Sequence, residues 1–220
     1  HHQTLTLIPS LIIVSLWLIG VLAVSKKTAN ENQATEISRK VVHIGCGITV
    51  PIAWSLGIPA TLALVACIVM SVLVILNYKM NWLSSIERHD KQSFGTIFYC
   101  LSITVLTGLF WREQPFALQA GVLVMAIADG LASLIGMHVT SPQWTLQGQT
   151  KSLAGTVAMA AASVCVLLTL ALISGEMPAL TCLWIGVTVT ALEQWSIRGI
   201  DNLTVPIATA LIWIQTATPM

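Results

Sequence analysis

Residues 126–155 read AIADGLASLIGMHVTSPQWTLQGQTKSLAG, and this stretch decides the architecture. It begins inside an apolar run, crosses a polar loop and enters the next apolar run through Lys151. Asp129 lies roughly nine residues from the polar end of its run, on the order of 13 Å down a helix that rises ~1.5 Å per residue. A carboxylate at such depth costs about 2.5–3.5 kcal/mol on insertion scales unless a partner, a metal or water meets it. Ala132, Ser133 and Gly136 follow at i+3, i+4 and i+7, so a small, open face lies beside the charge. Lys151 is read as opening the next helix, with Ser152 and Gly155 behind it. A helix start offers N–H groups and a positive dipole to an anion, and a lysine adds a full charge. One loop thereby joins a buried acid to an anion cradle, which suits phosphate chemistry at a membrane surface. Plainer roles exist for each residue alone: the acid can hydrogen-bond a neighbouring helix, and the lysine can anchor at headgroups.

Working outward, the 220 residues are 55% hydrophobic and 9% charged, with mean hydropathy +0.83. A soluble domain carries about 25% charged residues. The expected fold is all-α, a polytopic transmembrane helix bundle of seven or eight spans forming one domain over residues 1–220. His1-His2 is set aside as a tag remnant. Apolar runs fall near 5–24, 41–57, 59–77, 94–110, 116–137, 152–174, 178–193 and 203–217. Several hold only about 15–17 residues against the ~20 that a span needs. Pro59, Pro115, Pro178 and Pro206 sit near starts of runs, where proline is tolerated. The five cysteines all lie in apolar runs without CxxC spacing, which indicates neither a disulfide framework nor a zinc site. A net charge of +1 gives no reason to expect a nucleic-acid partner.

With eight spans, the loops 25–40, 78–93, 138–151 and 194–202 share one side. They carry nine of the ten basic residues, and the other side holds only Arg112. This places the basic loops in the cytoplasm or stroma, with both termini opposite.

The polar clusters fall on that same side. In Arg39-Lys40-x-x-His43, Arg39 and His43 share a helix face; arginine forks onto phosphate, lysine adds a point charge and histidine moves a proton near neutral pH. A snorkelling basic collar with one satisfied histidine is the plainer alternative. Ser93-x-Gly95-Thr96 follows a run of mixed charges, where Ser93 either caps the fourth helix or touches phosphate with Thr96. Glu193 ends the seventh run and Asp201-Asn202 precede the eighth. Asp201 is either a helix cap or joins Asp129 and Glu193 around a hard cation such as Mg2+. No Walker A or GxGxxG motif occurs, and Gly148-Gln149-Thr150-Lys151-Ser152 lacks both a Gly-Lys pair and a preceding strand.

Five motifs in order, Arg39-Lys40-x-x-His43, Ser93-x-Gly95-Thr96, Ala128-Asp129-Gly130-x-Ala132 with Gly136, Lys151-Ser152-x-Ala154-Gly155, and Asp201-Asn202-Leu203-Thr204-Val205-Pro206, resemble the polyprenol kinase family of phytol, dolichol and CTP-dependent diacylglycerol kinases. The short chain resembles the phytol kinase branch. Met137 departs from the arginine common in that branch, and Thr156 and Gln194 are milder departures. The resemblance implies transfer of the terminal phosphoryl of a nucleoside triphosphate, typically CTP, to a prenyl alcohol such as phytol, geranylgeraniol or farnesol. On that basis Asp129, Lys151 and His43 are the expected catalytic residues, with Asp129 or His43 taking the hydroxyl proton. Arg39, Lys40, Ser93, Thr96, Gly136, Ser152, Gly155 and Asn202 are the expected phosphate contacts. Asp129, Asp201 and Glu193 are the expected Mg2+ ligands. Two rival readings are a membrane cytidylyltransferase that makes a CDP-activated lipid, and a small-solute transporter. A transporter needs polar access from both sides, whereas here the far loops hold little beyond Arg112, Glu113 and Glu176.

Overall fold

A computed structural model of the chain describes residues 2–29, 35–80, 94–146 and 148–217. Its helices are α1 His2–Thr28, α2 Glu36–Ser55, α3 Ala60–Met80, α4 Gly95–Phe110, α5 Pro115–His138, α6 Leu153–Ser174, α7 Ala179–Gln194 and α8 Asp201–Thr216. A two-stranded antiparallel hairpin, β1 Gln143–Leu146 and β2 Gln149–Ser152, joins α5 to α6. Each apolar run has become one helix, with bounds shifted by a few residues. Four helices, Leu7–Thr28, Ala60–Met80, Pro115–His138 and Leu153–Ser174, are long and apolar enough to cross a membrane. The helices α4, α7 and α8 have 16 residues each, about 24 Å of rise.

Local chemistry sets the ends. Thr35 caps α2 by accepting from the Ser38 N–H at 3.1 Å. Pro115 stands in the first turn of α5 and Pro178 at the N-cap of α7, positions where a missing N–H leaves no gap in the ladder. Gly175 ends α6 in the left-handed region at φ 71°, as a C-terminal cap requires.

The core is built around α5. Ala117, Leu118, Ala120, Val122, Val124, Met125, Ala126 and Ala128 are all 0% exposed, and α2, α4, α6 and α8 pack around them. Val124–Asp129 forms a π-helical turn within α5, between α-helical segments Pro115–Leu123 and Gly130–His138. At the rim, α1 leaves Ile8, Ile12, Leu16 and Ile19 outward, an apolar surface fit for acyl chains. It grips α2 through polar contacts at three heights. Ser10 Oγ donates to Leu56 O at 2.9 Å, Trp17 Nε1 to Gly45 O at 2.9 Å and Ser25 Oγ to Ser38 O at 3.0 Å. In lipid, hydrogen bonds of this kind replace the hydrophobic drive between helices.

Several expectations are corrected. The all-α class holds for the bundle, and the reading misses only the hairpin, whose two strands of four residues each lie at the short limit where alternation can register. A strand therefore does precede Gly148–Ser152, although the absent Gly-Lys pair still excludes a P-loop. Lys151 belongs to β2, and α6 begins two residues later with Ser152 as its cap. Asp201 is the first residue of α8 rather than its cap, and Pro206 lies inside that helix. The cap of α4 is Phe94; Ser93 lies outside the described residues.

Candidate active site

Five elements meet at one end of the bundle: the start of α2, the π-turn and second half of α5, β2 with the start of α6, the end of α7 and the start of α8. Asp129 closes the π-turn. Such turns widen a helix by one residue and re-aim the side chains that follow. Its Oδ2 accepts from Lys40 Nζ at 2.6 Å, and His43 Nε2 stands 3.6 Å from the same oxygen. His43 Nε2 also lies 3.2 Å from Met125 O, a carbonyl of the π-turn. Lys40 and His43 are three apart on α2, so one face of that helix delivers both.

A second ion pair closes beside the first. Lys151 binds Glu193 Oε1 and also donates to Glu193 O at 3.3 Å. Glu193 Oε2 accepts from Gln194 Nε2 at 2.8 Å. One carboxylate oxygen from each of Asp129, Glu193 and Asp201 lies within 4.8 Å of the other two, in residues only 8%, 7% and 9% exposed. Among the described residues Asp201 has no ion-pair partner, and its Oδ1 is buried without a hydrogen bond. Three buried carboxyl groups stand against two ammonium groups, a surplus of one acid in a place of low polarity. That surplus, the oxygen-only donor set and the unsatisfied Oδ1 all fit a hard divalent cation such as Mg2+.

The neighbouring residues divide. Asn202 Nδ2 donates to Gly95 O at 3.0 Å, tying α8 to the first turn of α4 beside Thr96, and its own Oδ1 is buried and unsatisfied. Arg39 is held by Glu36 Oε2 at 3.0 Å. Glu36 Oε1 in turn accepts from Ser133 Oγ at 3.3 Å. Gly136 and Gly155 face each other across the α5–α6 crossing. A Cβ on Gly155 would lie 2.9 Å from Ala132 O, and one on Gly136 would lie 2.9 Å from Ser152 Oγ. Both serve close packing and present no open surface to phosphate at that crossing.

The anion cradle expected at the start of α6 is already filled from within. Leu153 N–H donates to Pro142 O at 2.9 Å, Ala154 N–H to Ser141 Oγ at 3.1 Å and Gly155 N–H to Ser152 Oγ at 3.1 Å. The hairpin causes this by folding Ser141 and Pro142 back over the helix start. Ser152 is thus a cap, and Lys151 is the cation that this junction supplies. The expectation that His43 takes a proton is corrected at one atom. Nε2 faces a carbonyl and a carboxylate, both acceptors, so a neutral ring carries its hydrogen there and donates.

A buried aspartate between paired cations, with two further acids on the same face, is joined here by relationship. The chain is 38% identical over 181 residues to the phytol kinase of a Synechocystis species, covering 80% of this chain and 78% of that one. It belongs to the phytol kinase-like polyprenol kinase family. It is also 28% identical to a chloroplastic farnesol kinase of Arabidopsis thaliana, over 58% of this chain and 45% of that one. A probable phytol kinase of Glycine max is 23% identical over 80% of this chain and 64% of its own. No family model and no solved structure matches.

For this family member, sequence reasoning missed Tyr99 and Glu36. Tyr99 is 5% exposed, stacks on His43 with ring centroids 4.1 Å apart and donates its hydroxyl to His43 O at 2.6 Å. A tyrosine in an apolar run gives no sign of such a contact. Glu36 had a usable signal, an acid three residues before Arg39 at a helix start.

Proposed function

We propose that the protein is a membrane-embedded kinase that transfers the terminal phosphoryl of a nucleoside triphosphate to the hydroxyl of a prenyl alcohol. The observation that carries this is the group of three buried carboxylates answered by Lys40 and Lys151. Phosphoryl transfer asks for positioning and charge neutralisation more than for covalent help, and this site consists of little else. CTP is the donor and geranylgeraniol one of the acceptors that the family resemblance implies; phytol and farnesol, the other acceptors, are in keeping with the names of the relatives.

Asp129, Glu193 and Asp201 would hold Mg2+, which when bound neutralises charge on phosphate oxygens. Lys151 and Lys40 supply the positive charge that binds the triphosphate, with Arg39 and the polar side chains of Thr96 and Asn202 beside them. The hydroxyl oxygen attacks the terminal phosphorus, the bond to the leaving nucleoside diphosphate breaks, and Asp129 accepts the hydroxyl proton. The site faces the cytoplasm or stroma, where the basic residues collect, while the prenyl tail stays in lipid.

The test offers purified protein a panel of prenyl alcohols with triphosphates labelled at the terminal phosphate. The expected products are a labelled prenyl monophosphate and the nucleoside diphosphate, abolished by chelation and restored by Mg2+. Asp129→Asn is expected to insert and fold, at a lower melting temperature because Lys40 loses its partner, and to lose turnover. Pyrophosphate release in place of the diphosphate would replace this reading with a cytidylyltransferase.

A further inference from the structure

Tyr99 lies outside every motif named above, yet it touches the group that touches Asp129. Its hydroxyl reaches a main-chain carbonyl of α2 that the helix already uses, and Gly47 makes the approach possible. A Cβ at Gly47 would lie 2.8 Å from the Tyr99 oxygen. The tyrosine therefore fixes His43 twice, through the ring face and through the His43 carbonyl. His43 Nε2 in turn lies between Met125 O and Asp129 Oδ2, in the second and last residues of the π-turn.

We propose that Tyr99 is a positioning residue that acts through His43 to hold the Asp129 carboxylate in register with the other two acids. The proposal rests on the reading of Asp129 as the group that meets the lipid hydroxyl. Asp129 closes a π-helical turn, where i→i+5 bonding departs from the α-helical register and re-aims the side chain. Lys40 is a flexible tether on a four-carbon stem. A flat ring clamped between a tyrosine and a carbonyl has far less freedom. His43 Nε2 is hydrogen-bonded to Met125 O and so forms a fixed wall 3.6 Å from Asp129 Oδ2, and the proton leaves the substrate for Asp129.

Three variants decide it. Tyr99→Phe keeps the ring and removes only the donor. It is expected to lower kcat about tenfold, the effect of one lost buried hydrogen bond, with KM for the triphosphate little changed. Mn2+ affinity, read by paramagnetic resonance without substrate, is expected to fall severalfold. His43→Gln keeps an N–H donor for the Met125 carbonyl and side-chain bulk beside Asp129, so it should retain at least about tenfold more activity than His43→Ala, with an unaltered pH profile of kcat. Melting temperatures of all three check folding, and the two His43 variants decide if Tyr99→Phe does not fold. Unchanged kcat and Mn2+ affinity in Tyr99→Phe overturn the proposal, as does His43→Gln as inactive as His43→Ala. A wild-type protein that forms no prenyl phosphate overturns the kinase reading itself, a different result from an active wild type with an indifferent Tyr99→Phe.

Discussion

Lys151 and Glu193 bury an ion pair with side chains 13% and 9% exposed, and each half has a separate task in the proposed reaction. Lys151→Met removes one charge and strands the other. Losing one partner of a buried pair costs roughly 3–5 kcal/mol, because the remaining charge stays desolvated. A large drop in melting temperature is therefore expected. The double variant Lys151→Met with Glu193→Gln removes the stranded charge, and most of the melting temperature should return. Phosphoryl transfer should not return, since the cation and one acid are both gone. An active double variant would reduce this pair to a structural element.

Single residues were legible to the extent that their cost was visible in one dimension. Asp129 stood out because a charge inside an apolar run must be answered, and Lys40 does answer it. That Lys40 would pair with the acid could not be read, because 89 residues separate the partners. Tyr99 was silent for the same reason.

At the scale of elements, the start of α6 shows how a sequence feature can be right in place and wrong in role. Ser152 caps the helix with its own oxygen, so Ser152→Ala should cost about 1 kcal/mol of stability. KM for the triphosphate should hold, and a large rise would return Ser152 to the phosphate contacts. Gly155→Val is expected to be far worse. Its Cβ would press on the Ala132 carbonyl, a main-chain atom that cannot rotate away, and forcing two packed helices apart costs about 1–3 kcal/mol or more. Lys151, four residues before the glycine, would shift with the helix, so activity should fall even below the melting temperature. The helices themselves were legible because hydropathy and length suffice to find them. The hairpin was not, since its strands hold only four residues each, and the π-turn leaves no mark in composition.

Taken whole, the chain places its chemistry at one end of a bundle and almost nothing at the other. Far from the site, Trp111 Nε1 donates to Ile58 O and Trp213 Nε1 to Glu176 Oε2, so the α2–α3 turn meets the end of α4, and the α6–α7 turn meets the end of α8. Glu193 at one end of α7 lies in the site, while Pro178 at its other end follows Glu176. The 16-residue α7 and α8 thus run between the same two ends as the full-length α5 and α6. Helices of about 24 Å beside a hydrocarbon core of ~30 Å can be accommodated by local thinning and flanking polar residues. If the longer four cross, shared ends carry the shorter ones across too, which gives eight crossings and both termini on the side that holds only Arg112. Alkaline phosphatase fused after Met220 should then be active in a bacterial host and green fluorescent protein at the same position dark. A reporter set into the hairpin turn at Gly148 should behave in the opposite way, as the positive-inside rule requires of a loop beside Lys151. A C-terminal fusion and a hairpin reporter that both fluoresce would put an even number of crossings between Gly148 and Met220, so that one of α6, α7 and α8 would lie outside the membrane.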